Sequence, residues 1–319
     1  MGDGVLAATD APASSAGRTR FREGTRSRTL DGVARALLVA CGVFVVLTTV
    51  GMLGFLARTG ARGIAEVGLG QLLTHELWKP EAAEFGGLPL IVGTFTSALG
   101  AVVLGAIPAV LAAVWIIEFA PEGLGRAYRR AMEIASAVPS VVYGWLALVY
   151  LVPLIERFAH ALYGQDAPVS GEGLASSAVL LGVMIAPTVV LLSLDSLGRV
   201  PRALREASAA LGASPWQTAF RVSVPYSWRG VLVAVFFGFA RAAGETMAVQ
   251  MVIGGARKLP HNLFQPTTTI SAQIVMDMQN SRPGTPENDA LYSMALVLLV
   301  MSVGVVLVTR VLSRGAPSR

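Results

Sequence analysis

Arg241 and Glu245 are the only charged residues between Gly230 and Gly255. Arg241 lies 13 residues past Trp228, where the apolar run begins; on a helix that is about 20 Å along the axis, well into a bilayer. A charge at that depth costs about 2.5–3.5 kcal/mol on insertion scales, so such residues face a bundle interior or an aqueous path. Four residues apart, the two share one face of a continuous helix. One reading is a self-satisfying ion pair that locks helices together, although Arg before Glu is the weaker helical order. The other is an oxyanion path. A guanidinium is a planar, permanently charged fork that matches phosphate oxygens. Glu245 repels a fully ionised anion, but hydrogen phosphate still carries a proton that a carboxylate can accept, and sulfate does not. A weaker signal lies upstream: Ser136, Ser140 and Tyr143 fall at i, i+4 and i+7 on one face, suited either to a hydrated path or to bonds between neighbouring helices.

Bond-making chemistry lacks its parts. A phosphate-cradling loop needs G-x-x-x-x-G-K-[ST], and the only lysines, in Trp78-Lys79-Pro80 and Arg257-Lys258-Leu259, do not follow a Gly. His75, His160 and His261 all lie outside the long apolar runs. No H-E-x-x-H helix exists, and no apolar run offers a His to activate a Ser or Cys. No Asp lies inside such a run, which excludes an intramembrane aspartyl pair. Cys41 is the one cysteine, too few for an internal disulfide or a Cys-based metal site. No cofactor, metal site or catalysis is expected.

Composition says what must position these residues. Of 319 residues, 54% are hydrophobic and 14% charged, against about 25% charged in an ordinary soluble domain. The mean hydropathy is +0.62. This excludes a disordered chain and points to an all-helical, polytopic membrane protein. Six spans are expected: Ala36–Ala57, Gly87–Ile117, Ile134–Ile155, Gly173–Leu194, Trp228–Gly255 and Ala290–Thr309. The second is too long for one perpendicular crossing, so it tilts, kinks near Pro108 or starts at the interface near Pro89. With both termini cytoplasmic, 17 of the 25 Lys and Arg residues fall inside and 7 outside, the bias that sets orientation. It also explains the net charge of +5 without nucleic acid. Residues 1–29 read as a disordered cytoplasmic tail. They are not a cleavable signal, because the first apolar run starts late and is long enough to span. Residues 30–86 hold the first span and an external loop, 87–312 the core, and 313–319 a second cytoplasmic tail.

The connection Asp195–Ser227 is long and patterned. Pro201 suits the first turn of a helix. Leu204, Ala207, Ser208 and Leu211 recur at i, i+3, i+4 and i+7, one small and apolar face from which Arg202, Arg205 and Glu206 are excluded. Gly212 can close that helix in the left-handed conformation. Ser214-Pro215-Trp216-Gln217 reads as a capping box opening a second helix, which Pro225 is expected to stop. The result is a helical hairpin with an apolar ridge facing the cytoplasm. It suits either the membrane surface or a groove in a partner protein.

Those residues also carry a resemblance. Glu206-Ala207-Ser208, Gly212 and Val222-x-Val224-Pro225 resemble the EAA loop of ABC-importer permeases, E-A-A-x3-G-x9-I-x-L-P. Ser208, Val222 and Val224 are mild departures that keep the surface small or apolar. Arg241-Ala-Ala-Gly-Glu245-Thr246-Met247-Ala248-Val249 resembles the R-A-x-G-E-T-M-A-V run of the PstC family of phosphate-importer permeases. The sister PstA family has an apolar and Pro continuation after G-E-T. Val138-Pro139-Ser140-Val141-Val142-Tyr143-Gly144 and the run Val200 to Ser208 are similar to the PstC family as well. The resemblance covers about Leu88 to Leu312. It implies a type I ABC-importer permease fold (MetI-like) in the inner membrane of a prokaryote. It implies a phosphate path lined by Arg241, Glu245, Thr246, Ser140 and Tyr143, and ATPase coupling through Glu206, Ala207, Ser208, Leu211, Gly212 and Pro225. It also implies partners: a PstA-like second permease, two PstB-like subunits that bind and hydrolyse ATP, and a PstS-like external phosphate-binding protein received by the loops Arg58–Gly86 and Ala256–Asp289. A permease for sulfate or molybdate, an ATP-independent channel or secondary transporter, and an intramembrane enzyme stay open as rival readings.

Overall fold

Apolar segments with no water around them must satisfy their backbone internally, and here they do so as helices. The structure, a computed structural model, describes residues 25–82 and 84–313. Residues 1–24 and 314–319 of the expected tails lie outside it. The first of two units ends at Gly54 and holds the N-terminal part of helix α1 (Thr25–Val67). Its side chains from Asp31 to Gly54 are all exposed.

The second unit begins at Phe55. Here the end of α1 meets α14 (Pro286–Ser313): the Phe55 and Tyr292 rings stand edge to face at 5.5 Å, and Ser293 Oγ donates to the Gly60 carbonyl at 3.0 Å. After α2 (Leu69–Thr74), a small antiparallel ribbon pairs β1 (Trp78–Lys79) with β2 (Glu84–Phe85) in the register Trp78 to Phe85. Leu72, Trp78 and Phe85 share a buried cluster with Leu90, Ile270, Leu291 and Met294. Ile270 opens α13 (Ile270–Met278).

The main core is built around α8 (Leu174–Gly198), the most enclosed of the six stretches among the described residues that are long and apolar enough to cross a membrane, with 67% of its most apolar part buried. The others are Asp31–Val67, Leu88–Glu118, Ser140–Tyr163, Pro215–Gly244 and Pro286–Val311. Small residues let the backbones approach. A Cβ on Gly105 would overlap the Gly182 backbone, the small-residue packing that membrane helices use.

Several expected boundaries move: the first stretch runs on to Val67, the third to Tyr163, and the fifth starts at Pro215, and two further shifts fall at helix breaks. The third span starts at Ser140, not Ile134. Ile134 belongs to α5 (Glu122–Ala137), which ends because Val138 precedes Pro139 and is held extended at φ −67°, ψ 130°. The fifth ends at Gly244, not Gly255. Pro225 does not stop the second helix of the hairpin either, and the reason recurs. Wide π-turns at Val102–Ala106, Ala147–Leu151 and Ala219–Ser223 each lead directly into an X-Pro pair, at Pro108, Pro153 and Pro225. The Ile107, Val152 and Val224 N–H groups donate five residues back, to the Val102, Ala147 and Ala219 carbonyls. A proline has no N–H and clashes with the carbonyl one α-turn behind it; the extra residue per turn accommodates both. The helices then continue as α4 (Ile107–Glu118), α7 (Val152–Tyr163) and α11 (Val224–Gly244).

Candidate translocation and coupling sites

Arg241 lies in the last turn of α11, exposed, and its Nη1 donates to Thr188 Oγ1 of α8 at 3.2 Å. Glu245 does not continue that helix. It caps α11 with extended dihedrals, φ −71° and ψ 131°, so the shared helix face expected from the spacing does not form. Its half-buried carboxylate accepts from the Ala248 N–H at 3.5 Å, at the start of the one-turn helix α12 (Met247–Gln250). The Glu245 carbonyl accepts from Ser271 Oγ of α13 at 3.0 Å. Thr246 is half-buried in the break, its hydroxyl donating to the Gly244 carbonyl at 3.4 Å. The ion pairs among the described residues include Arg129–Glu133, Arg129–Asp195, Arg205–Glu118 and Arg257–Asp277. The locking pair Arg241–Glu245 is not one of them. Thr188 carries no spacing signal in the sequence.

Ser136, Ser140 and Tyr143 do not share a helix face, because Pro139 separates α5 from α6 (Ser140–Leu146). Ser136 bonds back to the Glu133 carbonyl at 2.8 Å. The Tyr143 hydroxyl reaches across the break to the Ala135 carbonyl at 2.9 Å, so it braces the turn. Ser140 opens α6, half-buried. What the structure does bring together is α6 and α12. A Cβ on Gly144 would stand 2.9 Å from Ala248 Cα and from Met251 Sδ, so only glycine allows this approach. Tyr143 and Met251 pack on the cluster that holds Ala147, Met184, Ala248 and Val252. The helices α6 and α12, far apart in sequence, thus pack against each other at Gly144 and Ala248.

The connection after α8 folds as the expected helical hairpin, except at Pro225. Helix α9 (Arg202–Ala210) has Pro201 at its N-cap, and Gly212 turns the chain at φ +78°. Ser214 and Gln217 form both bonds of the capping box that opens α10 (Pro215–Thr218). The hairpin is tied internally by Ser208 Oγ and Thr218 Oγ1 at 2.8 Å, which gives the hydroxyl at position 208 a purpose. Leu204 is exposed, and Leu211, at the tip, is 90% exposed. Glu206 and Ala207 are exposed as well. The apolar residues Leu204, Ala207 and Leu211 face outward, and of the residues excluded from the ridge only Arg205 turns toward the protein, unlike an ordinary amphipathic surface helix. Pro225, at the start of α11, stands behind the π-turn and not at an end of the hairpin. A further tie joins the helix before the third span to the end of the fourth: Arg129 Nη2 bonds Asp195 at 2.8 Å. That bond raises the Arg129 guanidinium further above its already high value, so it stays charged.

Comparison with known proteins gives these features a context. Residues 101–316 match the family described as binding-protein-dependent transport system inner membrane component. Over 299 residues the chain is 35% identical to the probable ABC transporter permease protein YqgH of Bacillus subtilis, covering 92% of this chain and 94% of that one. It is 30% identical over 292 residues to the phosphate transport system permease protein PstC of Mesorhizobium japonicum, covering 88% and 89%. A chain of a bacterial ABC transporter involved in the import of the acidic polysaccharide alginate shares the fold, with a TM-score of 0.59 and 16% identity over 90% of this chain and 98% of that one.

Proposed function

The chain belongs to the family of binding-protein-dependent transport system inner membrane components, and from that premise we propose that it is a permease subunit of an ATP-driven importer of inorganic phosphate. It is a multi-pass membrane protein of a transporter-permease family, not a catalytic subunit. The observation that carries the phosphate assignment is the 30% identity, across 88% of the chain, to a permease named for phosphate transport. In this reading a second, PstA-like permease supplies the other half of the path. Two PstB-like subunits bind and hydrolyse ATP, and a PstS-like protein delivers phosphate from outside. Both termini are cytoplasmic.

The residues support a division of labour. Arg241, steadied by Thr188, presents a permanent positive charge at the helix break, where a dianion needs compensation. Glu245 and Thr246 stand in the break itself, with a carboxylate to accept the proton that hydrogen phosphate carries. The hairpin tip around Leu211 is the surface for the ATPase groove.

Labelled-phosphate uptake tests the reading in cells lacking this chain, complemented by wild type or by Arg241→Gln, with excess sulfate present. Wild type restores uptake that sulfate does not block, and the variant, present in the membrane at equal level, does not. Full competition by sulfate, or no restoration by wild type, overturns the phosphate assignment.

A further inference from the structure

Helix α9 of the hairpin buries no residue. Its half-buried side chains are Arg205 and Ser208 alone, and Ser208 bonds only within the hairpin, to Thr218. Beyond that tie to α10 and the short connection through buried Val200, the side-chain attachment of this helix to the membrane core rests on Arg205. Its Nη2 lies 3.0 Å from Glu118 Oε1, the last residue of α4, whose side chain is 6% exposed. The same nitrogen donates to the Leu197 carbonyl at 3.1 Å, near the end of α8, where a cation also complements the helix dipole. Nε lies 3.5 Å from Ser223 Oγ, the last residue of the third π-turn. One planar fork thus touches the ends of the second and fourth spans and the start of the fifth. The other arm of the hairpin needs no such joint, because α10 runs through the π-turn into α11.

We infer that Arg205 is the positioning residue that couples the hairpin to the membrane helices. Movement of the tip reaches α4 and α8 through this guanidinium. A lysine keeps the charge toward Glu118 but cannot hold three directions at once. A glutamine leaves Glu118 buried without its partner, which is the costly way to break such a pair.

The inference rests on the importer reading, and its test separates the two. The complete transporter is reconstituted in vesicles with its ATPase subunits and phosphate-binding protein. Phosphate uptake and ATP hydrolysis are measured together for wild type, Arg205→Lys, Arg205→Gln and the double variant Arg205→Gln/Glu118→Gln. The expected result is that uptake per ATP hydrolysed falls about 5-fold or more in Arg205→Gln, within the usual range of a coupling free energy. Arg205→Lys falls between that and wild type. The double variant regains assembly, because no carboxylate is orphaned, but keeps the low ratio. An unchanged ratio in the assembled double variant, whatever its absolute rates, overturns the role of Arg205 while the importer reading stands. Wild type that takes up no phosphate overturns the importer reading and the coupling role with it.

Discussion

In the proposed phosphate path Glu245 is the residue whose chemistry is least expected, and its surroundings sharpen the role proposed for it. It has left the helix of Arg241, and among the described residues its carboxylate has only a long bond, to the Ala248 N–H at 3.5 Å. An acceptor is therefore available to a protonated oxyanion and repels an unprotonated one. Glu245→Gln removes the charge and keeps the size, so phosphate uptake should become more sensitive to competing sulfate. The measurement is the ratio of phosphate to sulfate inhibition in complemented cells, and an unchanged ratio sinks the selectivity role. The sequence identified both charged residues but placed them on one helix face. That geometry assumed the helix continues to Gly255, and nothing in the local composition marks the break, because Gly244 and Thr246 are both tolerated in membrane helices.

At the scale of elements, the two helices of the hairpin and the turn between them were legible, though not the end expected at Pro225, because their determinants are local. Proline at the N-cap, a left-handed glycine and a capping box act within a few residues of themselves. Gly212 makes this testable. A Cβ there meets nothing within 4 Å, so any cost of substitution is conformational, set by φ +78°. Gly212→Ala should lower hairpin stability by about 1–2 kcal/mol, and Gly212→Asn by less, since Asn visits this region more readily. Phosphate-dependent ATP hydrolysis by the assembled transporter should follow the order Gly, Asn, Ala; equal losses for Asn and Ala would show that space, not conformation, is limiting. The π-turns were not legible. Each proline was visible, but its local rule is to kink or stop a helix, and only the packed structure shows the wider turn that carries the helix onward.

For the molecule as a whole, α11 is 21 residues long, about 31 Å at the usual rise. Hairpin and outer connection, one before it and one after, therefore belong to opposite membrane faces. With Cys41 replaced by Ser, a cysteine at Leu211 should react with a membrane-impermeant thiol reagent only in inside-out vesicles. One at Leu263, which is 60% exposed, should react only in right-side-out vesicles. The reverse pattern would invert the orientation proposed from the Lys and Arg bias.

Sequence alone determined that the chain is a helical membrane protein with six candidate spans, where the helical hairpin lies, and which family the chain resembles. These follow from apolar length, charge placement and short-range capping, all of which act along the chain. Tertiary structure decided the rest. It separated Arg241 from Glu245, gave the Tyr143 hydroxyl a bond that braces the turn before α6, and packed Gly144 against Ala248. It also supplied Thr188 as the partner of Arg241 and Glu118 as the partner of Arg205. These depend on which helix ends meet in space, at separations of 53 and 87 residues for the last two pairs, and no periodicity within one helix encodes that.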